Sequence, residues 1–464
     1  MASSYGTSAK DFVKSVKEGS ADVKEFHEKF LERARKLDKQ YNFFLTIAEK
    51  LEAHKKGRLY PIPVSVKDCI CTRGMQTTAG SRILEGYVPV FDATCVEAIK
   101  NEGGAVVGKT QQDEFGFGTF SVNSGYEIPK NPHDPDRSCG GSSGGAAGFT
   151  AAIGMPHIAL AESTGGSISC PGSFCGVIGL TPTYGLVSRY GLIDYANSLD
   201  KIGCMATSVE DIALLLSVMA GKDEKDPTSS LSKKEDYGKL EGRLKGLKIA
   251  VPKEYFRIDK KISKHIWDSI RLLEKEGARY DEISLPSTGL GLASYYIIAT
   301  SEASTNLAKY CGMRYGKQDA MEGDYNEYFS SIRGKYLGRE AKRRILLGTF
   351  SRMAGYKDKY YIRALQARGV IIDEFNKAFS KHDIIIAPTM PIIAPKFSEI
   401  EKLSPVDHYK MDILTVCPNL AGIPHISLPC GKEKGMPVGM HMMAGHFKEK
   451  KLLDAAYGFE RLHS

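Results

Sequence analysis

The sequence predicts an α/β fold: a large mixed, mainly parallel central sheet covered by helices on both faces. Short apolar runs recur along the chain, among them Val64-Ser65-Val66, Ala105-Val106-Val107, Ile249-Ala250-Val251 and Ile384-Ile385-Ile386-Ala387. Helical patterns lie between them, and that alternation argues for buried strands joined by helices. The composition is also globular. The chain has 464 residues, 42% hydrophobic and 25% charged, which excludes disorder as the main state.

The elements follow in chain order. Met1 to Gly6 opens no apolar run, so no secretory leader is expected. Residues 22–37 read as an amphipathic helix, because Phe26, Phe30, Ala34 and Leu37 recur at spacings of three and four. Pro61 and Pro63 punctuate, and Val64-Ser65-Val66 reads as a strand leading to Lys67. Thr94 with Glu97 has the spacing of a capping box, for a helix ending near Gly103-Gly104. Ala105-Val106-Val107 follows as a buried strand.

The longest uncharged stretch, Ser138 to Ala161, is crowded with Gly and Ser and carries Pro156 and His157. It reads as tightly packed core rather than a membrane span, which needs about 20 predominantly apolar residues. His157 to Ala161 ends it as a strand and feeds Thr164-Gly165-Gly166-Ser167. Residues 221–245 turn polar and read as a surface excursion. His425-Ile426-Ser427-Leu428 is a further strand candidate.

Ten cysteines are too sparse for a disulfide scaffold. Cys69-x-Cys71 and Cys170-x4-Cys175 lack a second pair at zinc-site spacing, so no metal site is expected. Free thiols fit a reducing cytoplasm. The net charge of +8 is mild and does not by itself indicate a nucleic acid.

Three glycine-rich motifs invite chemical readings. Gly103-x4-Gly108-Lys109-Thr110 matches the phosphate-loop pattern, but that loop must follow a strand and open a helix. Here a helix precedes it, and an apolar run sits inside it. Gly141-Ser142-Ser143-Gly144-Gly145 matches a G-x-S-x-G nucleophile elbow, but no strand precedes the serine. Thr164-Gly165-Gly166-Ser167 follows an apolar strand. It reads either as a tight turn or as a loop whose backbone N–H groups converge on one point beside Ser167, as an oxyanion hole requires.

Together these segments resemble the amidase signature family. Gly140 to Gly145 is similar to its Gly/Ser core, Thr164-Gly165-Gly166-Ser167-Ile168 to its nucleophile loop, and Pro63-Val64-Ser65-Val66-Lys67-Asp68 to its lysine segment. The spacing 167 − 143 = 24 agrees. Within the family, Asp113-Glu114-Phe115, Ser188-Arg189-Tyr190-Gly191, Lys342-Arg343-Arg344 and Asn419-Leu420-Ala421-Gly422-Ile423-Pro424 resemble the branch that supplies the glutaminase subunit of tRNA-dependent amidotransferases. The resemblance covers nearly the whole chain. It implies one domain over 1–464, with an N-terminal helical segment (1–60), a signature core (61–215), the polar excursion (216–245) and a remainder (246–464).

The resemblance implies Ser167 as nucleophile, Ser143 as bridging hydroxyl and Lys67 as base, with the backbone of Thr164, Gly165 and Gly166 as oxyanion hole. A serine hydroxyl donates and accepts at once, so it can pass a proton between two neighbours. Lys67 is a base only when neutral, which calls for a dry site. A cis bond is expected at Ser142–Ser143. Tyr295, Arg344 and Asp412 would hold glutamine, the Arg fork suiting its α-carboxylate and the Asp its α-ammonium.

The branch further implies the B and C subunits of the amidotransferase as partners, and ammonia passed to the partner that amidates Glu-tRNA(Gln) and/or Asp-tRNA(Asn). ATP and Mg are expected on that partner, which would also hold most of the tRNA, and no cofactor is expected in this chain. The cytoplasm is the expected location, with no membrane. The sequence departs from the family at Ser163 and Ser169, where an Asp and an Arg are usual, and we read those absent charges as a structural pair lost together. A free-standing amidase and a phosphate-loop protein using Lys109 are the competing readings.

Overall fold

The apolar runs pair into one sheet. The computed structural model describes residues 6–53, 56–230 and 235–463, so the reading of the first five residues lies outside it. In chain order the strands are β1 (Phe44–Ile47), β2 (Pro63–Lys67), β3 (Ala105–Thr110), β4 (Lys130–Asn131), β5 (Asp134–Ser138), β6 (Ile158–Ser163), β7 (Ile178–Thr181), β8 (Lys201–Ala206), β9 (Lys248–Pro252), β10 (Arg279–Ile283), β11 (Ile384–Pro388), β12 (His425–Glu433) and β13 (Met436–Ala444). Eleven form a single mixed sheet in the order β1-β3-β2-β6-β8-β7-β12-β13-β11-β9-β10, while β4 and β5 form a separate hairpin.

Parallel pairing joins β3-β2-β6 on one flank and β11-β9-β10 on the other, and the strands between them run antiparallel. β2, β3, β6 and β11 are buried along their whole length, because helices cover both faces. β10 is an edge strand and carries the charges Arg279, Asp281 and Glu282, which blunt the open edge. Beside it, Trp267 on the helix Lys260–Lys275 packs against Phe256 and Tyr280, with ring centroids 5.1 and 5.8 Å away.

The first long helix spans Val23–Tyr41, four residues beyond the expected end. Asp22 caps it by accepting from Lys24 N and Glu25 N, and Phe26, Phe30 and Ala34 form its buried stripe. The capping box expected at Thr94 does not form. The helix Thr94–Asn101 is preceded by Ala93, and the Thr94 hydroxyl donates instead to Asp223 Oδ2 at 2.6 Å. Asp223 is one of two anchors of the polar excursion. Ser188 Oγ donates to it at 2.6 Å, and Arg189 N donates to Asp226 at 2.8 Å.

No helix among the described residues is long and apolar enough to cross a membrane. All ten cysteines are free thiols, nine of them buried. The feature that positions the site is the parallel pairing of β2 with β6, in which Val66 lies opposite Leu160. Parallel strands end on the same side. Lys67 and Glu162 therefore leave the sheet together.

Candidate active site

Lys67 ends β2 with its side chain wholly buried. Its Nζ is 2.7 Å from Ser142 Oγ, 2.9 Å from the Glu162 carbonyl and 2.9 Å from Glu162 Oε2. The dry site expected for the lysine is present, but it contains a carboxylate. The serine that meets the lysine is also Ser142, not Ser143, and the cis peptide bond is Gly141–Ser142, not Ser142–Ser143. The reason lies in the next element. Ser143 is the residue before the helix Gly144–Ile153, its carbonyl accepts from Ala147 N at 3.2 Å, and its hydroxyl donates to the Glu162 carbonyl at 3.1 Å. Its side chain supports the loop, while its neighbour faces the amine.

Asp113 fixes that neighbour. Its N–H donates to the Ser142 carbonyl at 3.2 Å, and its carboxylate accepts from Ser121 N at 3.0 Å and Asn123 N at 2.8 Å. Burial pushes the Asp113 carboxyl up to about 6. Gly141 passes so close that a Cβ there would collide with Asp113 Oδ2, which explains the glycine.

β6 runs into Thr164-Gly165-Gly166-Ser167 and then the buried helix Ser169–Cys175. The Gly165 carbonyl accepts from Ser163 Oγ at 3.0 Å and from Asn419 Nδ2, and the Gly166 carbonyl accepts from Cys170 N at 2.8 Å. In a trans peptide the C=O and the following N–H point in opposite directions. Pinning the two carbonyls therefore aims the N–H groups of Gly166 and Ser167 the other way, as an oxyanion hole needs. Ser143 N donates to the Ser167 carbonyl at 3.2 Å and ties the serine loops together. Ser167 is 6% exposed whereas Lys67 and Ser142 are 0% exposed, so among these three it is Ser167 that a molecule from outside can reach.

The three residues expected to hold substrate gather at this loop from distant segments. A Cβ on Gly165 would lie 2.7 Å from Tyr295 Oη, so Tyr295 packs directly on the loop. Asp412 accepts from Thr119 Oγ1 at 3.0 Å and Tyr296 Oη at 2.5 Å, and burial raises its carboxyl against the pull of those hydroxyls. Arg344 is buried, donates to Glu340 Oε1 at 2.9 Å and Tyr195 Oη at 2.7 Å, and lies within 6 Å of the rings of Phe117, Tyr195, Tyr296 and Tyr409. In the run Lys342-Arg343-Arg344 it is the buried member. A cavity of about 280 Å³, lined by Thr119, Glu340, Arg344 and Tyr409 among others, opens beside it.

Several contributors escaped the sequence reading: Glu162, Thr119, Tyr296, Asn419 and Glu340. Glu162 did leave a signal, since an acidic residue inside an apolar strand must find a partner. The phosphate-loop reading fails physically. Gly108-Lys109-Thr110 lies in β3, and Lys109 is buried, donating to Thr77 Oγ1 at 3.0 Å, Thr72 Oγ1 at 3.3 Å and the Ile70 carbonyl. Ser163 and Ser169 have separate partners: Ser163 turns to Gly165, and Ser169 Oγ lies 3.2 Å from His425 Nδ1.

A buried lysine on a serine hydroxyl, under a glycine loop that presents a second serine, defines a serine amidohydrolase. The amidase family model matches residues 15–453, and the chain belongs to that family. It is 48% identical over 407 residues to the A subunit of the glutamyl-tRNA(Gln) amidotransferase of Methanococcoides burtonii, covering 87% of this chain and 85% of that protein. The A subunit of the same enzyme from Persephonella marina is 44% identical, over 99% of this chain and 92% of that one. Among solved structures, the glutamyl-tRNA(Gln) amidotransferase A subunit from Thermotoga maritima superposes with a TM-score of 0.82 at 38% identity, covering 94% and 91% of the two chains. The peptide amidase of Stenotrophomonas maltophilia gives 0.82 at 28%, covering 98% and 97%.

Proposed function

We propose that this chain is the glutaminase subunit of a tRNA-dependent amidotransferase. The observation that carries the reading is the likeness to the Persephonella marina protein, which runs through 99% of this chain at 44% identity. The site supplies compatible chemistry. Ser167 Oγ attacks the carboxamide carbon of glutamine. Its proton passes to Ser142 as the Ser142 proton passes to Lys67. The N–H groups of the 164–167 loop hold the oxyanion. The C–N bond then breaks, the relay returns a proton to nitrogen, and ammonia leaves. Water hydrolyses the acyl-serine to give glutamate and free Ser167. Arg344 holds the α-carboxylate and Asp412 the α-ammonium, with Tyr295 between them and the loop.

Ammonia passes to the B subunit, and the C subunit completes a cytoplasmic complex. The B subunit carries ATP and Mg and amidates Glu-tRNA(Gln) and/or Asp-tRNA(Asn), and this chain holds no cofactor. The helix that carries Arg344 supports a partner surface, because it turns Leu346, Leu347 and Phe350 to solvent, with Met353 exposed just after it. The test is glutamine hydrolysis by this chain with and without the B and C subunits. Strong stimulation, with ammonia transferred to aminoacyl-tRNA, is the expected result. Brisk turnover of many small amides by the lone chain would instead make it a free-standing amidase, the reading favoured by its likeness to the peptide amidase.

A further inference from the structure

Behind Lys67 lies a second arm of polar contacts that the mechanism above does not use. Thr164 Oγ1 is 2.8 Å from Glu162 Oε1 and 2.8 Å from Asp200 Oδ1. A hydroxyl has one hydrogen and can donate to only one of them. The other contact needs a hydrogen from a carboxyl group. Glu162, Thr164 and Asp200 are all buried, as is Lys67. Once Lys67 has taken the serine proton and become an ammonium, two carboxylates beside it in a dry site would leave an uncompensated charge, and one proton shared between them makes the cluster neutral.

We infer that Glu162, Thr164 and Asp200 are positioning residues that extend the relay: the two carboxyls share one proton through the Thr164 hydroxyl, and its place sets the charge facing Lys67. With the proton on Asp200, Asp200 donates to Thr164, Thr164 donates to Glu162, and the negative charge lies 2.9 Å from Lys67 Nζ. Moving each hydrogen one step along the chain puts the proton on Glu162 and the charge on Asp200, with nothing gained or lost. Charge on Glu162 stabilises the ammonium that forms as Ser167 is deprotonated, and charge on Asp200 lets that proton go again. Burial, and then the charge of Glu162, hold the Asp200 carboxyl well above the ordinary range.

Other ionisable groups face this cluster. Asp113 and Cys69 lie toward Lys67, and Arg189 and Tyr195 toward Asp200. The backbone N–H groups of Tyr195 and Ala196 also donate to Asp200, at 2.9 and 3.0 Å, and keep its charged form accessible.

The inference rests on the proposed chemistry of Ser167, but its test does not need glutamine. The full-length chain is reacted with a fluorophosphonate, and Ser167 labelling rates are followed by intact mass from acid to alkaline pH. Glu162→Gln keeps the shape and the acceptor but removes the charge and the shared proton. Its labelling profile should move about one pH unit or more toward acid, because the negative charge beside the relay is gone. Glu162→Asp, which restores the charge, should move the profile back. A Glu162→Gln profile that superimposes on the wild type, or that drops evenly at every pH, overturns the inference.

Wild-type protein supplies a second measurement should the Gln variant not fold. Its infrared spectrum at neutral pH should hold a protonated-carboxyl band that Asp200→Asn removes, and absence of that band also overturns the inference. A wild type that labels but does not cleave glutamine defeats the proposed function alone, and one that does not label defeats both.

Discussion

Two adjacent serines, identical in the sequence, have different work in the structure. Ser142 touches the lysine, and Ser143 braces the loop against the Glu162 carbonyl. Ser142→Ala should therefore lower kcat by on the order of 10²- to 10⁴-fold, the range for a lost proton-transfer group. Ser143→Ala should keep most activity and cost about 1 kcal/mol of stability, for one hydrogen bond. Steady-state kinetics and thermal melts of the two variants separate the roles, and the reverse pattern would return the relay to Ser143. Ser167→Ala should abolish covalent labelling outright. Lys67 and the glycine loop with Ser167 stood out because each directly follows an apolar strand, whereas the 24-residue spacing pointed to Ser143, which does not face the lysine. The choice between neighbours was not legible, because it depends on where the helix Gly144–Ile153 begins and which hydroxyl that leaves facing Lys67.

At the scale of elements, the loop after β6 depends on a clamp from the far end of the chain. Asn419 Nδ2 holds the Gly165 carbonyl, and Gly166 passes Thr415 so closely that a Cβ there would lie 2.5 Å from Thr415 Oγ1. Asn419→Ala should lower kcat by about tenfold to a hundredfold with little change in KM, somewhat less than removal of an oxyanion donor itself. An unchanged kcat would show that the loop holds its own shape.

β2 gives a second prediction. Its Ser65 is 3.0 Å from Nε2 of His157, which is buried between Phe30 and Phe149 and which burial lowers to about 3. Below about 6.5 the unfolded chain takes up a proton there and the folded chain does not, so stability falls as pH falls from about 6.5 toward 3. His157→Gln should reduce that slope by about 1.4 kcal/mol per pH unit, read from denaturant melts across the range. Strands such as β3 and β11 were legible from their apolar runs alone. The true start of the helix Thr94–Asn101 was not, because Thr94 is claimed by Asp223 from the excursion.

Across the whole molecule, the strands of the two halves of the chain occupy opposite flanks of one sheet, and β12, near the C-terminal end of the chain, joins them by pairing with β7. β12 and β13 lie between β7 and β11, in the interior of the sheet. A chain cut before Pro405 therefore loses interior strands together with Asp412, Thr415 and Asn419, and it should fail to fold rather than leave a stable N-terminal unit. Circular dichroism and limited proteolysis check this, and a protected fragment ending near residue 400 would refute it. Such order was beyond sequence reasoning, because periodicity reports which residues are buried and not which distant strand lies alongside. The cavity beside Arg344 was hidden for the same reason, since Tyr195, Tyr296 and Tyr409, which surround that side chain, come from segments far apart in the chain. Trp267, the one tryptophan of the chain, sits by the β10 margin, whereas tyrosines crowd the pocket. Indole emission will thus report the loosening of that margin and stay blind to glutamine arriving, so ligand titrations call for a reporter placed elsewhere.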